Sequence, residues 1–360
     1  MTLTEQREGR APPAAPGLRP PGLRVGLLVA AGLCLVAAAL LAVLVGPVRL
    51  PPGGVVAELA DRLPLVRVGS GLPDREAAIL WQLRLPRVVL GGLVGAMLAL
   101  AGAAYQGVFR NPLADPYLLG AAAGAGLGAT LAIAYGPDTS SWPVGPLPLA
   151  AFAGAIVGVV SAYALGRAGG GRTTATLVLA GVAVTSFLTA VQTYVQQREA
   201  ETLREVYGWI LGRLTTAGWN DVVLILPYVA VSSAVIVAHR RLLDVLAVGD
   251  DEAGSLGVRA ARVRLVVVAA ASLGTAAAVA VSGLIAFVGI IVPHTIRLLA
   301  GSSYRLVVPL CLLLGAAFLI LADLVARTVM APAELPIGVI TAFFGAPFFA
   351  VVLRTSRRTP

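Results

Sequence analysis

Apolar runs of about 20 residues recur along this chain from Val25 to Leu353, and each is long enough to cross a bilayer core of about 30 Å as a helix. Inside lipid every backbone N–H and C=O must be satisfied within its own segment, so the pattern predicts an all-α, polytopic transmembrane bundle. Residue usage agrees, since 58% of the 360 residues are hydrophobic and only 12% are charged. A soluble domain carries about 25% charge, and a water-soluble globule is excluded. Ten spans are predicted, near 25–46, 86–108, 117–135, 148–166, 174–196, 220–238, 265–283, 285–300, 306–327 and 337–353. Residues 1–24, rich in Pro, Gly and Arg and without periodicity, read as a disordered tail ahead of one membrane domain over 25–355. The first apolar run exceeds the 7 to 15 residue core of a cleaved signal and is expected to remain as a span.

All 27 basic residues are arginine. Without lysine the chain can be neither a P-loop ATPase nor a Schiff-base enzyme, so any energy must come from a partner or an ion gradient. The two cysteines, Cys34 and Cys311, lie inside apolar runs and read as packing residues, with no disulfide framework and no metal-ligand spacing. An even number of spans puts both termini on one side. That side collects 17 of the 27 arginines and leaves 10 opposite, so both ends are expected in the cytoplasm. The same excess supplies most of the net charge of +9, which removes any need for a nucleic-acid partner. Glycine is concentrated in the spans, as at Gly91, Gly92 and Gly95 or Gly120, Gly124, Gly126 and Gly128, where small residues let helices approach closely. Pro112 to Pro116 encloses Asp115 on one side, Pro332 to Pro336 encloses Glu334 on the other, and opposed copies of this kind suit an inverted repeat.

Few ionisable residues fall inside spans, where a charge costs about 2.5 to 3.5 kcal/mol even on lenient scales. Asp323 is the one carboxylate well inside, and Arg327 lies one turn away, so an i, i+4 pair is expected. The dearth of buried carboxylates disfavours an ion-driven carrier. No nucleophile and base or metal cluster appears within the spans, which disfavours an intramembrane enzyme. Thr185, Thr189, Gln192 and Gln196 fall at spacing 4, 3, 4 and share one helical face, an arrangement that suits the wall of a pathway. Arg84 and Arg87 flank Pro86 at a helix start, with both guanidiniums expected at the outer surface, where Arg327 also ends its span. Cations there oppose the topology bias and call for anchoring in the headgroups or an acidic partner. The connection 239–264 places Gly249 before Asp250, Asp251 and Glu252, with Gly254 and Gly257 closing the segment around Leu256, and predicts two short helices forming a knob.

Seven ordered motifs between residues 80 and 355 resemble the iron-siderophore, haem and cobalamin permeases of ATP-binding-cassette importers, the FecCD type. They are Leu83-Arg84-Leu85-Pro86-Arg87, Gln106 with Arg110-Asn111-Pro112-Leu113-Ala114, Leu179-Ala180-Gly181, Ala247 to Gly257, Phe287-Val288-Gly289 with Pro293-His294, Ala322-Asp323 with Ala326-Arg327, and Glu334-Leu335-Pro336-Ile337-Gly338. The resemblance implies a type II importer fold and a second permease subunit around a central pathway. It also implies two copies of an ATP-binding subunit inside and a substrate-binding protein outside. Residues 247–257 resemble the segment that seats on the ATPase. Arg84, Arg87 and Arg327 fall where the family meets acids of the binding protein. Asn111 and Leu113 match positions narrowing the inner mouth, and Thr174 with Ala175 matches the other gate segment, with alanine where the family has a second hydroxyl. The expectation is thus a multi-pass subunit of a bacterial inner membrane, in contact with lipid, without catalytic residues, cofactor or resident metal. It would translocate an iron(III)-siderophore complex, with haem or cobalamin as alternatives.

Overall fold

The computed structural model describes residues 25–62, 69, 71–137, 144–168 and 174–356; the expected tail over 1–24 lies outside them. Every described regular element is a helix, the short α8 (Leu203–Ile210) among them. Seven segments are long and apolar enough to cross a membrane: α1 (Val25–Leu44), the continuous stretch Asp74–Phe109, α6 (Pro146–Ala168), α7 (Thr174–Arg198), α9 (Trp219–Val248), α11 (Ala260–Ser282) and α13 (Tyr304–Thr328). Three shorter apolar helices, α5 (Ala121–Tyr135), α12 (Val288–Ala300) and α14 (Ile337–Ser356), fall on the remaining predicted spans.

No helix is predicted from the sequence between the spans 25–46 and 86–108, and the structure departs from this. Pro52–Asp61 forms α2, started by a proline at the first helical position, and Asp74–Ala78 forms α3. Ile79–Arg84 is a π-helical turn in which the Leu85 N–H reaches back five residues to the Leu80 carbonyl, and it runs straight into α4 (Leu85–Phe109). The indole of Trp81 donates to the Glu58 carboxylate at 2.9 Å and lies under the Arg62 guanidinium, tying α2 to this turn.

At the centre stands α4, surrounded by α9, α11, α12 and α13, with almost every residue from Val94 to Phe109 buried. Its small residues permit this: a side chain at Gly95 would collide with the Gly315 carbonyl of α13, and one at Gly102 with the Gly289 carbonyl of α12. The pairing of α5 with α6 is close from both sides: Gly124 and Gly154 face each other so tightly that a Cβ on either would stand 2.1 Å from the other's carbonyl oxygen. Cys311 is buried as a packing residue should be, whereas Cys34 is exposed on α1.

Candidate functional site

One end of the bundle carries the starts of α4 and α9 and the ends of α1 and α13. Here α1 stops, and its last carbonyls need partners. Arg84 supplies them: its Nη1 donates to the Val43 carbonyl at 2.6 Å and the Leu44 carbonyl at 3.1 Å, and its Nη2 to Val48. Arg327 donates to the Ala42 carbonyl. Both guanidiniums also place positive charge on the negative end of the α1 dipole. Arg87 is bidentate to Asp323, with Nε to Oδ2 at 2.9 Å and Nη2 to Oδ1 at 2.7 Å, and bridges to Glu334 at 2.9 Å.

The expectation of exposed guanidiniums at this surface is therefore corrected. Arg84 and Arg327 are buried, and Arg87 is largely so, because helix-end carbonyls and carboxylates from distant segments hold them. The anticipated Asp323–Arg327 pair exists at 3.7 Å but is secondary to Arg87. Glu334, noted in the sequence only as part of a proline-bounded echo, is the partner that sequence reasoning missed. The three arginines and Glu334 line a hollow of about 220 Å³, with Leu83 and Thr215 at its side.

At the opposite end, α9 continues through Val248, ten residues beyond its predicted stop, because Leu243 and Leu246 bury in register with Ile236. Residues 239–264 thus hold one short helix, not two: α10 (Asp250–Ser255), set off from α9 at Gly249, after which the second basic stretch begins α11. Ala253 of α10 is buried, while Asp251, Glu252, Gly254, Leu256 and Gly257 are exposed, Leu256 at 68%. Gly257 closes the turn at φ 78°, a left-handed conformation that favours glycine.

Asp250 joins this knob to its neighbours. It accepts from Arg264 Nη1 at 2.8 Å and lies 3.4 Å from Arg110, and the Arg264 hydrogen bond, followed by the charges of Arg264 and Arg110, holds its carboxyl below the ordinary value against the opposing effect of burial. Arg110 is the left-handed cap that ends α4, and Asn111 and Leu113 follow it, both exposed. Asn111 Oδ1 accepts the Leu113 N–H at 2.9 Å and fixes that loop. Four residues before Arg110, Gln106 accepts from Arg297 at 2.6 Å and donates to the Gly289 and Ala114 carbonyls, a junction that its place in a family motif did not foretell. Beyond it Asp115 accepts the Tyr117 N–H at 2.8 Å, yet burial outweighs this bond and pushes its carboxyl up to about 6. The proline loop with Asp115 and that with Glu334 lie at opposite ends, both tied to α4, through Gln106 and through Arg87.

The polar stripe on α7 is not uniform. Gln192 and Gln196 are buried, and Gln192 donates to Thr130 at 3.2 Å across the gap that Gly126 leaves in α5. Thr185 is half-buried, as are Val184 and Leu188, and Thr189 is exposed, while Ala180 and Gly181 are the buried residues of the first half of α7. Thr174 opens the helix.

The contacts gathered at the two ends hold the helices in register and present a loop and a knob at one of them. The chain belongs to the FecCD transport family, whose model matches residues 34–355, and it is a permease of an ATP-binding-cassette importer. It is 44% identical over 79% of its length to the cobalamin import system permease BtuC of Halobacterium salinarum, covering 75% of that protein. The iron(3+)-hydroxamate import permease FhuB of Bacillus subtilis is 39% identical over 78% of this chain and 72% of its own. A solved structure described as an inward-facing conformation of a metal-chelate type ABC transporter superposes with a TM-score of 0.80 at 28% identity, covering 92% of this chain and 99% of that one. As an importer permease, the chain implies an ATP-hydrolysing partner and a substrate-binding protein.

Proposed function

We propose that this permease pairs with a second permease subunit around a shared pathway, with two copies of an ATP-binding subunit on its cytoplasmic side and one binding protein outside. Both termini then face the cytoplasm, in keeping with the arginine excess. The observation that carries the reading is α10: a short helix anchored by buried Ala253 that holds Leu256 out into solvent beside Asp251 and Glu252. A large apolar side chain on a rigid acidic knob is suited to a partner's cleft. Asp250 links that knob to Arg110, so motion of α10 is passed to the loop bearing Asn111 and Leu113, the inner gate in this reading, with Thr174 on the facing segment. Thr185 and Thr189 line the pathway, and Gln192 and Gln196 close its edge. Acids of the binding protein approach the hollow of Arg84, Arg87 and Arg327, where they meet guanidiniums already engaged internally.

The cargo is an iron(III)-siderophore complex, a class in keeping with the hydroxamate relative and the metal-chelate neighbour. The cobalamin relative favours a second reading, cobalamin itself. The test is reconstitution of the permease with its ATP-binding subunit and binding protein in proteoliposomes. Leu256→Glu should abolish stimulated ATP hydrolysis while the permease unfolds at the same temperature as wild type; unchanged stimulation would overturn the role of α10. Uptake of a ferric hydroxamate but not cyanocobalamin would support the iron reading, and the reverse would replace it.

A further inference from the structure

The second cavity at the α10 end has a chemistry that translocation does not use. It holds about 570 Å³ between the ends of α4 and α6 and the starts of α7 and α11. Its inner wall is apolar, made by Phe109, Leu177, Leu265 and Val268, while Arg167, Arg262 and Arg264 stand around it with the Tyr163 ring. Asp250 is the single acid of the lining, and its charge is already matched by Arg264 and Arg110. Among the described residues neither Arg167 nor Arg262 has a carboxylate partner, Arg167 lying only near the ring of Tyr163. Arg264 keeps a buried Nε–H without an acceptor, although both its Nη atoms reach Asp250. A buried donor left unmatched calls for an acceptor from outside the chain, and the surrounding cations favour an anionic one. α11 moreover begins beside the pocket without a side-chain cap.

We propose that this pocket binds an acidic phospholipid, its phosphate among Arg167, Arg262 and Arg264 and its acyl chain along the apolar wall. The shared chemistry is a phosphate oxyanion, and inorganic phosphate would satisfy the arginines equally well. The wall decides for lipid: Leu265 is 46% exposed next to Arg262, and on α6 the exposed Val160, two turns from Arg167 on the same face, and Val157, one turn further, continue toward the middle of the helix. A free anion gains nothing from such a track, whereas a chain bound there removes that surface from the headgroup region. The pocket also opens at the end with the arginine excess, where juxtamembrane cations and anionic lipids attract each other.

The experiment is a native mass spectrometry titration of the delipidated full permease with phosphatidylglycerol, with phosphatidylcholine, and with phosphatidylglycerol against excess inorganic phosphate. One phosphatidylglycerol should be retained with clear preference over phosphatidylcholine. Arg167→Gln with Arg262→Gln should weaken it roughly 10- to 30-fold, from about 1 kcal/mol for each cation near the surface. Both side chains are exposed, so the variant should fold, and Arg241→Gln at the same end controls for lost charge. Equal retention of the two lipids, displacement by inorganic phosphate alone, or equal weakening by Arg241→Gln would each overturn the proposal.

Discussion

Replacing Arg87 by methionine tests whether the ion network at the α4 start is structural. The carboxylate it would abandon, Asp323, is only 4% exposed in its side chain, so the relevant scale is that of a buried pair. Breaking such a pair by removing one partner costs about 3–5 kcal/mol, because a charge is left without compensation. Two features place this case at the lower end. Arg327 stays within 3.7 Å of Asp323 and retains part of the compensation, and Glu334, a quarter exposed, can turn to water so that its loss belongs with surface pairs at about 0–1 kcal/mol. The expected destabilisation is therefore about 3 kcal/mol, measured as unfolding free energy in mixed dodecylmaltoside and SDS micelles by far-UV circular dichroism. Asp323→Asn alone leaves Arg87 with only the partly exposed Glu334 as a carboxylate partner. The two changes together should cost less than their sum by about 2 kcal/mol, since each removes the charge that the other leaves behind. A loss below about 1 kcal/mol for Arg87→Met, or strictly additive losses, would refute the argument and leave Arg87 as a surface cation held in place by chance.

Gly124→Ala should destabilise by about 1–3 kcal/mol or more, because its new methyl meets the Gly154 backbone carbonyl at 2.1 Å, whereas Gly26→Ala, with open space around it, should be neutral; thermal unfolding of both variants in nanodiscs decides. Asp115 has a folded pKa raised from 3.8 to about 6, so its contribution is fully present below pH 3.8 and is lost as pH rises toward and through 6. The unfolding midpoint of wild type relative to Asp115→Asn should fall between pH 4 and 6.5, and a rise over that window would contradict the burial argument.

The ten apolar segments were legible because bilayer thickness imposes a length that composition alone reveals. What escaped was mostly non-local. Arg84 and Arg327 bond to carbonyls 41 and 285 positions away, and a main-chain acceptor leaves no mark on the residue that carries it. Glu334 reaches Arg87 across 247 positions, joined only by the chain's return through α13. The extension of α9 hid among charged residues, its period kept by Leu243 and Leu246. The division of the α7 stripe had a readable sign in Gly126, a gap into which some long polar side chain had to fall, but the sequence did not say that Gln192 would fill it.

The central helix imposes a phase. Arg87 and Gln106 lie 19 residues apart on α4, about 28 Å at 1.5 Å per residue, and each is locked into its own set of partners. A single residue inserted between them would turn one end about 100° against the other, and close-fitting neighbours leave the shaft no way to absorb the turn. The same contacts make α4 a keyed axle in this structure, with its register fixed by Arg87 at one end and by Gln106 at the other. The π turn at Ile79–Arg84, outside the locked interval, is where this axle can gain or lose a residue and still engage both ends.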